Sequence, residues 1–307
     1  MIKAALAIAA AALAALLTAA GGSSAPNPPN VTCSQVTQSF SGTAHDLIVP
    51  ADGYCAIDNA TITDDLIVQR NAGGDVTDST IQHDALYADE AGGDITGSTI
   101  GHDVSYSSDG GGSIFDSTIG FDLTAGSDSE LHLAASQVGH NLVATRPGTV
   151  QTGANSPTEF GHVQVGNDFV INGSPGRPDP TAFVFDGICD LSVGHDLGIT
   201  NRWVTLGIGL GDNCASNGGG PVSVGHDLVF SGNDALSGFF GPSALELGGV
   251  TVGHDLTVTR NSATAWVEVA DNTIGHDATC RNNNPPASLA ESFDGPNSIG
   301  GTNNGCP

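Results

Sequence analysis

The feature that most constrains this chain is an element of the form Thr-Ile/Val-Gly-His-Asp-Leu that returns eleven times. The copies begin at Thr43-Ala-His-Asp-Leu47 and end at Thr273-Ile-Gly-His-Asp-Ala278. With the Asp or Asn of each copy as marker, Asp46, Asp65, Asp84, Asp103, Asp122 and Asn141 follow one another at steps of 19 residues. Asp168, Asp196, Asp227, Asp255 and Asp277 then follow at steps of 27, 28, 31, 28 and 22. Loops therefore lengthen on some faces while the element itself is kept.

Around each marker the apolar residues alternate with polar ones. Ile62, Ile81, Ile100, Ile119, Val138, Val165, Val193, Val224, Val252 and Ile274 precede a corner, and Leu, Phe, Val or Ala follows it. Alternation with period two means strands. Strands this short cannot bury a face alone, and stacking like residues on like is how such units form a continuous core. The prediction is an all-β, single-stranded parallel β-helix of about eleven coils, with a core roughly 50 Å long at the usual strand spacing. Uneven coil length argues for a right-handed solenoid. Composition agrees: aromatic residues make up only 5% of the chain and glycine contributes 43 residues, so the core must be built from small aliphatic layers.

The Ile/Val-Gly-His-Asp-Leu ladder, with the closing segment Asn272-Thr-Ile-Gly-His-Asp-Ala-Thr-Cys280-Arg-Asn-Asn-Asn-Pro-Pro286, resembles secreted bacterial, actinobacterial-type parallel β-helix repeat proteins of uncharacterised function, built on Val-Gly-Gly-Asn-Leu repeats. The resemblance covers nearly all of the chain beyond the leader. It implies fold and export and brings no catalytic residues.

The first residues carry one lysine, Lys3, then an Ala/Leu run from Ala4 to Ala20 and small residues, the pattern of a secretory signal helix cut near Ala20. The expected organisation is a signal peptide and cleavage region at 1–25, a Pro/Asn-rich linker at 26–32, the β-helix at 33–280 and a disulfide-tied C-terminal cap at 281–307. No membrane insertion is expected once the signal is removed, so the chain should be secreted or held at the cell surface. Six cysteines in an exported chain point to disulfides. Fifteen pairings are open on paper. Cys33 to Cys55, Cys189 to Cys214 and Cys280 to Cys306 are each about one coil apart, so sequential pairing would staple neighbouring coils.

Thirty-three acidic residues against seven basic ones give a formal net charge of −26. Such a surface repels the phosphate backbone, so nucleic acid is excluded as a partner, and divalent metals or cationic partners are favoured. Polysaccharide lyases need a cationic residue beside the uronate, and hydrolases need two carboxylates at a set separation. The chain has no basic cluster, and the adjacent carboxylate pair Asp64-Asp65 sits in the repeated corner. A carbohydrate-active enzyme, with a cleft near Trp203, the Cys189 to Cys214 loop and Phe239-Phe240, is therefore the second expectation. The first is a non-catalytic β-helix acting as a binding, adhesin-like or structural scaffold.

Four columns could carry that function. Histidines precede most markers, and His195, His226, His254 and His276 should form an unbroken exposed row beside Asp196, Asp227, Asp255 and Asp277. Together they are the candidate metal ligands, with calcium or zinc as the ion. Carboxylates stacked at the strand spacing repel by about 1 kcal/mol per pair in water. Either each accepts backbone N–H groups at its own turn, as Asp and Asn do, or a cation or the histidines neutralise it. A Thr/Ser/Gln column running from Thr61 to Thr273 should point outward. So should an apolar column of Ile48, Ile67, Leu86, Val143, Val170 and Val229, which offers a surface for lateral self-association or for a glycan or cell-surface partner.

Overall fold

The computed structural model describes residues 26–33, 38–153, 162–173, 185–205, 207–211, 221–235, 243–289 and 295–307. The expected signal segment, the loop containing Cys214, and Phe239-Phe240 lie outside these. The described chain is all-β, and every strand pair is parallel, in sheets of thirteen, eleven, twelve and three strands. It is a parallel β-helix.

One coil shows how the sequence makes the fold. Thr61–Ile62 adds to the twelve-stranded sheet, a corner follows at 63–65, and Leu66–Val68 enters the thirteen-stranded sheet. The chain then turns through Asn71, at φ 57°, into Gly73–Thr77 of the eleven-stranded sheet, and Asp78, at φ 46°, starts the return to Thr80–Ile81. Asx residues recur at such turns because their short polar side chains tolerate the left-handed region. Each strand meets its counterpart one repeat later, as Ile62 meets Ile81 and Leu66 meets Ala85.

The core is a set of stacked columns. Ile62, Ile81, Ile100 and Ile119 form one, and Leu66, Ala85, Val104 and Leu123 another, all fully buried. Tyr87 and Tyr106 occupy a third, where their rings stack at 4.6 Å. Their size is accommodated because Gly74, Gly93 and Gly112 face them, and the two hydroxyls donate to Gly74 O (2.8 Å) and Gly93 O (3.0 Å). Buried Ser79, Ser98, Ser117 and Ser136 cap a return turn, each hydroxyl accepting the N–H one coil below. In the later coils an asparagine ladder does the same work: Asn233, Asn261 and Asn283 each accept the N–H of the coil before. That ladder borders the three-stranded sheet of Trp203–Val204, Asp234–Ala235 and Ser262–Ala263, which accounts for part of the longer repeat.

The stack extends past both expected ends. Val31–Thr32, in the segment expected as linker, pairs with Leu47 and Ile48. Ser298–Ile299 pairs with Thr273 and Ile274, and Asn303–Asn304 with Ala278 and Thr279, so the segment expected as a cap carries a further rung. That rung has Gly300-Gly301-Thr302 where earlier copies have Gly-His-Asp, which hides it from the repeat. Disulfides join Cys33 to Cys55 and Cys280 to Cys306, stapling the first and last coils. Cys189 is also disulfide-bonded. Three oxidised cysteine sites place the fold in an oxidising environment. Among the described residues, no helix is long and apolar enough to cross a membrane.

Candidate functional site

The repeated corner carries the densest chemistry. Its glycine is required by closeness between coils. A Cβ on Gly139, Gly166, Gly194, Gly225, Gly253 or Gly275 would stand 2.1–2.2 Å from the carbonyl oxygen of the equivalent glycine one coil earlier. The next residue's backbone is also bonded through the stack, as His226 N–H donates to His195 O (2.9 Å) and His254 N–H to His226 O (2.9 Å). The histidine side chain is thereby thrown outward, and the following Asp lies half-buried beside it.

The corner carboxylates of Asp65, Asp84, Asp168, Asp196, Asp227 and Asp255 do not accept backbone N–H groups at their own turns, as an Asx-turn would have them do. Each reaches forward to the next coil. Asp196 Oδ1 accepts the Asp227 N–H (3.0 Å) and the His226 Nδ1–H (3.1 Å). Asp227 does the same for Asp255 and His254, and Asp255 for Asp277 and His276. His83, His102, His140 and His195 are held in turn by Asp65, Asp84, Asp122 and Asp168, at 2.7–2.9 Å. An ionised carboxylate only accepts, so, apart from His140, whose Nδ1 also faces the Asn141 amide nitrogen (2.9 Å), the proton of each paired imidazole sits on Nδ1 and the Nε2 lone pair faces solvent. The expected repulsion along the Asp column is thus answered by peptide and imidazole N–H groups.

The row of rings is continuous where expected and extends further. His195, His226, His254 and His276 stack in nearly parallel planes with centroids 4.7–4.9 Å apart. A second run joins His83 to His102, Phe121 and His140 at 4.6–5.2 Å, so phenylalanine continues the stack without a ligand atom. Between the runs lies Asn167, whose Nδ2 donates to Asn141 Oδ1 (2.9 Å). The uncharged marker Asn141 is therefore followed by an uncharged partner. His83, His195 and His276 have their pKa raised above the ordinary 6.5, first by the hydrogen bond each gives to Asp65, Asp168 or Asp255. Asp255 is lowered from the ordinary 3.8, first by the Asp277 N–H and then by His276.

The proposed ligands therefore come together in a particular way. Asp196, Asp227 and Asp255 lie behind the imidazoles with Oδ1 already engaged, and Asp277 Oδ1 accepts Thr302 N–H (2.6 Å). Calcium takes six to eight oxygen ligands, and these carboxylates do not converge on such a cage. The solvent-facing Nε2 row is nitrogen chemistry, which suits zinc, copper or nickel.

The other columns fall where the alternation puts them. Thr80, Thr99 and Thr118 are exposed, while Ile48, Ile67 and Leu86 face outward half-buried and Val229 is exposed. Of the residues expected around a cleft, Trp203 and the Cys189 to Cys214 segment at 189–205 and 207–211 are described, and 206, 212–214 and Phe239-Phe240 lie outside the described residues.

One feature escaped the sequence reading. Asp186 stands at an inward position between Val150 and Ile208, fully buried, and chelates Arg202, itself 4% exposed. Arg202 Nε donates to Asp186 Oδ2 (2.5 Å) and Nη2 to Oδ1 (2.9 Å). The rest of the guanidinium donates to Pro147 O and Gly148 O, and Asp186 Oδ1 also accepts Val150 N–H. An Asp at an inward position of Phe185–Ile188 was the available signal. Each guanidinium nitrogen and both carboxylate oxygens are engaged within the core, which suits a structural pair. No protein-family model, curated protein or solved structure matches the chain.

Proposed function

We propose that the chain is a non-catalytic, secreted or cell-surface β-helix that acts as a binding, adhesin-like or structural scaffold. The observation that carries this reading is the engagement of the corner carboxylates. From coil to coil each Oδ1 holds the next backbone N–H and, in most coils, the next imidazole, so the conspicuous acidic column maintains the stack. General acid–base work needs a carboxylate within reach of the proton it moves and not committed to holding backbone. The disulfides support export, and repeated outward columns suit a ligand that is itself repetitive, such as a glycan at a cell surface.

Incubation with a panel of neutral and acidic polysaccharides separates this from the carbohydrate-active reading. The expected result is retention on one or more polymers with no new reducing ends and no unsaturated products. Depolymerisation that disappears on replacing a single Asp would overturn it.

A further inference from the structure

The imidazole rows carry a more specific consequence, which does not depend on the scaffold reading. In His83, His102, His195, His226, His254 and His276 Nδ1–H is donated to a carboxylate and Nε2 is left outward, with side chains 45–54% exposed. A carboxylate behind the ligating imidazole fixes its tautomer, orients the ring and makes the outer nitrogen a better donor, the arrangement found behind histidines that bind zinc. A lone exposed imidazole is a weak ligand, so capacity depends on how many neighbours can act together.

Two imidazole nitrogens on one tetrahedral zinc ion, each about 2.0–2.1 Å from it, stand about 3.3 Å apart. Adjacent rings here are 4.7–5.1 Å apart and nearly parallel. Each outer nitrogen must therefore move by about 0.7–0.9 Å, half the difference, to meet the geometry. A tilt of the two half-exposed rings toward each other about the Nδ1 end supplies it and turns their in-plane lone pairs, parallel in the stack, toward a shared ion, and water fills the other positions.

We infer that the stacked histidines form three two-imidazole sites for a zinc-like divalent transition ion, at His83/His102, His195/His226 and His254/His276, with the Asp column holding the rings from behind. His140 is left single, because Phe121 stands on one side and Asn167 on the other. His162 is unsuited, since its two nitrogens contact Asp190 and Ser192.

The test is zinc binding by the full chain, produced by export and without a polyhistidine tag, followed by native mass spectrometry and titration calorimetry with zinc alone. About three ions per chain are expected. His102→Ala lowers this to two. Phe121→His raises it to four, by giving His140 a neighbour at a position where a ring already stacks. His162→Ala leaves three, and far-UV circular dichroism checks that each variant keeps its strands. The inference is overturned if no saturable binding is found, or if folded Phe121→His binds no more zinc than the parent; a capacity indifferent to both substitutions would assign the zinc to surface carboxylates.

Discussion

Asp186 and Arg202 form a two-point ion pair buried within the stack, sixteen residues apart in sequence. The pair links the eleven-stranded sheet to the start of the asparagine ladder, because Arg202 N–H also donates to Asn233 Oδ1. Removing one member strands the other without water. Arg202→Met or Asp186→Asn should each destabilise the chain by about 3–5 kcal/mol, whereas replacing both with apolar residues of similar volume should recover most of the loss. Urea midpoints of the two single variants and the double variant decide this; a double variant as weak as the singles added together would show that the pair does not act as a unit.

The corner titrates. His83, His195 and His276 are raised in the folded chain, so their contribution to stability is fully present below the unfolded imidazole value of about 6.5 and is lost as pH rises through the folded values. Asp255 is lowered, so its contribution is present above about 3.9 and is lost as pH falls through its folded value. Both hold together between about pH 4 and 6.5. Partial relief of the large negative charge acts in the same direction as pH falls toward that window. In the presence of chelator, the melting temperature should be higher at pH 5.5 than at pH 8, and the difference should shrink in His195→Ala. A melting temperature unchanged between the two would contradict the imidazole pairing.

The corner glycines set how closely coils approach. Gly225 lies against Gly194, whose carbonyl oxygen would be 2.1 Å from an added Cβ. The obstacle is backbone, so no side chain can move aside. Gly225→Ala should cost about 1–3 kcal/mol, the usual price of overpacking, seen as a lower urea midpoint. Gly198→Ala, which meets nothing within 4 Å, is the control and should leave the midpoint unchanged.

Much of this was legible in the sequence because a solenoid turns one-dimensional periodicity into three-dimensional neighbours. The step of 19 residues gave the coil, and the alternation gave which of Ile62 and Thr61 faces in. Contacts between coils were harder to see. His226 follows Gly225 and precedes Asp227, which suggests a bond within the corner; the partner is Asp196, thirty residues away, because strand register sets Oδ1 below the next coil's N–H. The glycine was legible as a corner residue, and the reason for it only from stacking. Asp186 and Arg202 occur in one coil each and so formed no column, and the terminal rung lacks the His-Asp signature altogether.

The interruption at Asn141 and Asn167 gives the most direct test of the ladder's logic. Asn141 Oδ1 performs both acceptor tasks of a marker carboxylate, toward Asn167 Nδ2 (2.9 Å) and Asp168 N–H (3.3 Å), without charge. Asn141→Asp keeps the acceptor and adds a carboxylate between Asp122 and Asp168, with no imidazole in the next coil to meet it. It should lower the melting temperature at pH 7. Asn167→His alone supplies a ring without its carboxylate, and the two changes together rebuild the pairing found at Asp196 and His226. The double variant should then exceed the sum of the singles by about 1 kcal/mol, the scale of one charge interaction at strand spacing in water. The coupling should diminish above pH 8, where the imidazole is neutral, and in high salt, which screens exposed charges. Strict additivity would mean that the stack is indifferent to its charge pattern, and that the matched asparagines at 141 and 167 have no electrostatic origin.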